Sequence, residues 1–218
     1  MSVDYTAQRI KMVDGQLRTT DVTGHALLQA YLEVPREIFV PEAKRELAYL
    51  DADIEIAPGR YLGEASPIAR LIALAEVSSS DAVLNVGAGT GYDAAILGKL
   101  SSNVTALESD PALASQAQEN LAAAGVSNVT IEIGALEAGC AKQGPFDAIV
   151  VSGSVARVPA ALLDQIKDGG RLVVVEGGER LGAARLYLKS GRSVSSRFAF
   201  NASLKPLPGF AQAAVFAL

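Results

Sequence analysis

Three glycines at alternating positions, Gly87, Gly89 and Gly91, follow the apolar run Val83-Leu84-Asn85-Val86 and precede a helix-like stretch that opens at Tyr92. Glycine permits positive φ and lets backbone approach a ligand closely, and the start of the following helix presents unpaired N–H groups. Glu108 follows Gly87 at about the distance, roughly 20 residues, at which an acidic residue ends the second strand of such a unit and accepts bonds from ribose hydroxyls. Placed together, turn and carboxylate fit an adenosine-type ligand. Taken separately, each has a plainer reading: the glycines as a tight strand-to-helix turn, and Glu108 as a solvated strand end. A dinucleotide fingerprint needs glycine where Tyr92 stands, and a phosphate-binding loop needs a lysine that is absent after Gly91.

Elsewhere the residue types narrow the chemistry by exclusion. One cysteine, Cys140, cannot form an internal disulfide, and one histidine, His25, cannot build a multi-histidine metal site, so no metal is expected. Cys140 reads as a small packed residue; only Lys142 nearby could activate it. The 24 acidic and 19 basic residues leave a net charge of -5, which gives no electrostatic footprint for a nucleic-acid partner. With 218 residues, half of them hydrophobic and a fifth charged, the chain reads as one soluble globular domain. Met1 to Met12 carries Asp4, Arg9 and Lys11 without a central apolar stretch, and Pro206 to Leu218 is too short and proline-broken to span a bilayer. A cytoplasmic protein with no membrane partner is the expectation.

The glycine turn and Glu108 need strands to hold them. Residues 1–65 read as a helical N-terminal extension, broken at Gly24, Pro35 and Pro41, with Ile10, Val13 and Leu17 on one face and Leu27, Leu28, Tyr31 and Leu32 on another. Ser66-Pro67 reads as a cap and first helical position, leading a helix with Ile68, Leu71, Ile72 and Ala75 on its buried face. Apolar runs at Ala82–Val86, Val104–Leu107, Val129–Ile133, Ala148–Val151 and Leu172–Val175 predict buried parallel strands. Helices are predicted over Tyr92–Leu100, Pro111–Ala124, with Asp110 as cap and Gly125 as stop, and Val158–Ile166. Ala184–Lys189, Val194–Phe200 and Gln212–Ala217 read as closing strands with antiparallel pairing. The fold class is α/β: a doubly wound, mostly parallel seven-stranded sheet, with a cofactor-binding core over residues 66–180 and antiparallel strands over 181–218.

Several segments in order resemble one family. Met12-Val13-Asp14-Gly15-Gln16-Leu17, Val34-Pro35-Arg36-Glu37-Ile38-Phe39-Val40-Pro41, Ala48-Tyr49-Leu50-Asp51, the glycine turn, Pro145-Phe146-Asp147-Ala148-Ile149-Val150-Val151 and Gly169-Gly170-Arg171-Leu172-Val173 are similar to protein-L-isoaspartate O-methyltransferases. The resemblance implies a Rossmann-like methyltransferase fold, S-adenosyl-L-methionine as cofactor, and methylation of the carboxylate of isoaspartyl residues in damaged proteins. It implies that Gly87, Ala88, Gly89, Gly91 and Tyr92 line the cofactor, that Glu108 and Ser109 hold its ribose side, and that Gly134, Ala135 and Leu136 lie at the adenine. It places the acceptor loop at Gly59 to Ala65, including Tyr61, Leu62 and Gly63.

The chain departs from that family's pattern in three places. Both hydroxyl residues of the acceptor loop are missing, Asn85 stands where an acidic residue closes the first strand, and Ala135 replaces an aspartate at the adenine contact. A hydroxyl aimed at the acceptor would contribute about 1.5–3 kcal/mol as a hydrogen bond to a charged group, and Gly63 cannot supply it. Ser66 could, unless it caps the helix. Glu64 with Tyr61 could instead act as base toward a cationic or hydroxyl acceptor, unless Glu64 is a solvent-facing loop residue. Two alternatives stay open: a methyltransferase with another, small-molecule acceptor, and a non-catalytic binding module that keeps the fold.

Overall fold

The computed structural model describes residues 3–178 and 181–210. Its centre is a seven-stranded sheet built from β3 (Ala82–Val86), β4 (Asn103–Glu108), β5 (Val129–Ile133), β6 (Phe146–Val155), β7 (Ile166–Gly177), β8 (Gly182–Ser190) and β9 (Ser193–Ala202), in the order β5-β4-β3-β6-β7-β8-β9. The first five strands are parallel, and β8 and β9 pair antiparallel. The chain reverses direction across the sheet between β3 and β6, so a crevice opens at their carboxyl ends, where open α/β sheets hold ligands. The predicted sheet is therefore observed; the expected strand over Gln212–Ala217 lies outside the described residues.

One face of the sheet packs Val83, Val104, Ala106, Val150 and Val173 against α1 (Tyr5–Met12), α2 (His25–Glu33), α3 (Ala65–Ala75) and α4 (Tyr92–Leu100). The other face turns Leu84, Val86, Leu107, Ile149, Val151, Leu172 and Val174 toward Leu136, Leu162, Leu207 and Phe210. Alternating side chains of each strand thus feed two cores. α5 (Pro111–Ala123) flanks β4 and β5; its cap Asp110 accepts from the Ala112 and Leu113 amides, and Gly125 leaves it at φ 67°.

Four local expectations are corrected. Residues 54–62 are not part of a helical extension: β1 (Ile54–Ala57) and β2 (Arg60–Leu62) form an antiparallel hairpin joined through Gly59 at φ 69°. Ser66 does not cap α3. Glu64 holds the cap position, and the Ser66 hydroxyl donates to Thr20 Oγ1 at 2.8 Å. Ile10 is 46% exposed while Val13 and Leu17 are buried, because the helix widens into a π turn over Val13–Leu17 and rotates its buried face away from Ile10. The predicted helix over Val158–Ile166 shortens to α6 (Ala160–Asp164), and Ile166 already belongs to β7. Among the described residues no helix is long and apolar enough to cross a membrane, and no group of three or more His, Cys, Asp or Glu could hold a metal ion.

Candidate functional site

The three glycines close β3 as expected, with φ of 80°, 56° and 96° at Gly87, Gly89 and Gly91. Their amides are used locally. Gly87 and Ala88 both donate to the Leu107 carbonyl, Gly91 donates to the Ala88 carbonyl, and Gly89 donates to Glu108 Oε2 at 2.7 Å. Glu108 ends the neighbouring β4 and is completely buried. The solvated strand end is thereby excluded, and turn and carboxylate meet.

Arg60, on the hairpin, reaches the same carboxylate. Its Nη1 lies 2.5 Å from Oε1 and its Nη2 2.7 Å from Oε2, a bidentate pair with Arg60 itself buried. The amides of Ser109 and Asp110 donate to Oε1 at 2.7 and 3.0 Å, and the Ser109 hydroxyl donates to it at 3.3 Å. Burial alone would raise the Glu108 pKa; the bond and charge from Arg60, with the Asp110 and Gly89 amides, outweigh it and hold the group below the usual carboxylate range.

The walls of the crevice are equally close. A Cβ placed on Gly87 would stand 2.8 Å from both Leu207 methyls, one on Gly153 2.6 Å from Leu207 Cγ, and one on Gly89 2.9 Å from Ile56 Cδ1. Between the hairpin, Ser152, Gly153 and Leu204–Leu207 the remaining cavity is about 10 Å³, the room of a single water. Cavities of about 490, 440 and 400 Å³ exist elsewhere; neither these nor the small one is lined by Gly87, Gly89, Gly91 or Glu108. The residue types suit an adenosyl cofactor; in this arrangement Arg60, Leu207 and Ile56 stand against Glu108, Gly87 and Gly89, the groups it would contact.

At the acceptor loop, the Gly63 carbonyl accepts from Arg36 Nη2 at 2.7 Å, and Arg36, 1% exposed, also donates to the Ala48 carbonyl and lies over the Tyr92 ring. Tyr92 is fully buried, edge-on to Tyr31 and Phe39. This expected cofactor residue is part of the core. Leu62 is buried, and Tyr61 faces the Lys205 ammonium 5.3 Å from its ring centre. The Glu64 amide donates to Asp53, and burial, followed by the charges of Asp53 and Asp51, raises the Glu64 pKa. Ser66 is committed to Thr20. The structure therefore brings neither Ser66 nor Glu64 into contact with Glu108.

Near the adenine positions the Gly134 amide donates to the Glu108 carbonyl, Ala135 is exposed and Leu136 is buried. Asn85 Nδ2 donates to Ser152 Oγ at 2.8 Å and to the Val150 carbonyl, while its Oδ1 is buried without a partner. Asp93, one residue after Tyr92, bonds the same Ser152; burial pushes its carboxyl up, against that bond and the charge of Arg36. Cys140 is packed as expected, its thiol pushed up to about 11 by burial and Glu132. Sequence reasoning missed Ile56, Leu207 and the pairing of Arg60. The available signal was the charge of Arg60, a lone cation in the acceptor loop.

Residues 8–200 match the family described as protein-L-isoaspartate(D-aspartate) O-methyltransferase. Curated relatives named protein-L-isoaspartate O-methyltransferase include one from Methanoculleus marisnigri, 36% identical over 78% of this chain and 77% of its own length. Another, from Roseiflexus castenholzii, is 32% identical over 95% and 94%. A solved protein-L-isoaspartate O-methyltransferase superposes with a TM-score of 0.81 at 23% identity, over 93% of this chain and 67% of that one. A candidate enzyme of this name from Plasmodium falciparum, solved with S-adenosyl-L-homocysteine, superposes with a TM-score of 0.77 at 18% identity, over 95% and 100%. The last two establish the methyltransferase fold, and the match over residues 8–200 with relatives at this identity establishes descent: the chain belongs to the protein-L-isoaspartate O-methyltransferase family.

Proposed function

We propose that this chain is an S-adenosyl-L-methionine-dependent methyltransferase acting on the carboxylate of isoaspartyl residues in damaged proteins. The observation that carries the reading is the position of Glu108. An acidic residue closes β4 beside a glycine turn closing β3, at the carboxyl edge of a parallel sheet, in a chain of this family. The partner is then a protein or peptide bearing an isoaspartyl residue, and a cytoplasmic location belongs to the same proposal.

An isoaspartyl carboxylate is ionised at neutral pH, so it needs no general base. The chain's own task is to hold it. Arg36 fixes the Gly63 carbonyl and so sets the path of the acceptor loop, while Ser66 serves as a brace to Thr20. In this arrangement Arg60, Ile56 and Leu207 occupy the groups that would hold the cofactor.

A second reading, a binding module that keeps the fold, has its own support in the filled crevice and the missing loop hydroxyls. Incubation with S-adenosyl-L-methionine and an isoaspartyl peptide separates the two. Methanol release above a buffer blank is the expected outcome. No turnover from protein shown to be folded by circular dichroism removes the isoaspartyl assignment.

A further inference from the structure

The side chains that fill the crevice come from two structural units. Ile56 and Arg60 stand on the two strands of one hairpin, and Leu207 comes from the segment that returns past β6 after β9. That segment is held in place: the Ser154 amide donates to the Lys205 carbonyl and the Leu207 amide to the Ser154 carbonyl, both at 2.9 Å. Each side chain covers one feature an adenosyl group would use. Arg60 covers the carboxylate, Ile56 covers Gly89 and Leu207 covers Gly87.

The carboxylate is also saturated. Glu108 accepts from Arg60 Nη1 and Nη2 and from the amides of Gly89, Ser109 and Asp110, five N–H donors on a group offering about four lone-pair directions. A ribose diol finds no free acceptor until Arg60 leaves. The exchange would then be equal in number, two O–H donors for two N–H donors, but the buried carboxylate would lose its cation, which favours Arg60 over the sugar.

We infer that Arg60, Ile56 and Leu207 are a built-in occupant of the cofactor crevice, so that S-adenosyl-L-methionine binds this chain only from a second arrangement in which the hairpin and the 204–207 segment have withdrawn. The inference rests on the cofactor assignment under "Proposed function". It makes Arg60 and Leu207 determinants of cofactor affinity. The apparent dissociation constant rises by the inverse of the open fraction, about 100-fold if about 1% of molecules are open.

The test is calorimetric titration of S-adenosyl-L-homocysteine into the unaltered protein, Leu207→Ala, Arg60→Ala and the double variant, each checked for folding by circular dichroism. Leu207→Ala leaves the sheet and the Glu108 shell intact, so it guards against Arg60→Ala merely unfolding. The expected result is a dissociation constant lower by about tenfold or more in each single variant and lower again in the double. Micromolar binding by the unaltered protein that neither substitution improves overturns the inference and leaves the cofactor assignment standing. Absence of binding in all four folded proteins overturns both.

Discussion

Arg60→Ala tests the buried pair through stability alone, independently of any ligand. Arg60 reaches Glu108 through two bonds of 2.5 and 2.7 Å, with Glu108 fully buried. Removing one partner of a buried pair costs about 3–5 kcal/mol. The amides of Gly89, Ser109 and Asp110 stay on the carboxylate and, as bonds to a charged group, offset part of that loss. We expect a net destabilisation of about 2–3 kcal/mol at pH 7 by equilibrium urea unfolding. At about 2–4 °C per kcal/mol for a chain of this length, the melting temperature falls by about 4–12 °C. The pH dependence carries the sign. Because the folded Glu108 pKa is depressed, its contribution is present above the unfolded carboxylate value of about 4.3 and is lost as pH falls through the folded value. The gap between the two proteins must therefore narrow on acidification. A difference below about 0.5 kcal/mol at pH 7, the range of an ordinary surface substitution, or a gap independent of pH, refutes the pair as described.

Three further outcomes follow from other parts of the site. Gly63→Ser is expected to fold normally, since a Cβ there meets Leu204, Asp53 and Ile68 at ordinary separations of 3.5, 3.7 and 4.0 Å; combined with Tyr61→Thr it should raise methyl transfer to an isoaspartyl peptide, and an unchanged rate would show that the loop hydroxyls are not limiting. Arg36→Met leaves the buried Ala48 carbonyl and the half-buried Gly63 carbonyl without their donor and should cost about 3 kcal/mol by urea unfolding; retained stability would count against the anchoring role. Cys140, buried with its thiol pushed up to about 11, should react with iodoacetamide at pH 8 far more slowly in the native protein than in urea, and equal rates would contradict its packing.

The parallel core was legible because its signals are local and agree. Ala82–Val86, Val129–Ile133 and Tyr92–Leu100 have the bounds their sequences predict, and Asp110 caps α5 with the side chain expected of it. The hairpin escaped notice because its strands have only four and three residues, too few for alternation to stand out beside the helical segments before it. Pairing of Arg60 with Glu108 joins residues 48 apart; only the folded sheet reveals it. Leu207 sits in a stretch dense in proline and glycine, whose composition reads as a turn and conceals an apolar side chain seated over two strand ends. Sequence spacing thus located the crevice, whereas its contents depend on contacts that no spacing encodes.

The β1–β2 hairpin is fastened at its base. Asp53 bonds the Glu64 amide, and Arg36 bonds the Gly63 carbonyl, which sets a line through residues 53 and 63–64 about which both strands would swing. With about three residues from that line to Arg60, at about 3.3 Å each, the lever is about 10 Å. A tilt of about 30° then carries the guanidinium about 5 Å, beyond reach of the carboxylate, and lifts Ile56 in the same stroke. Besides the Arg60–Glu108 pair, that stroke is braked by Lys44, whose ammonium grips the Glu55 carbonyl at 2.8 Å.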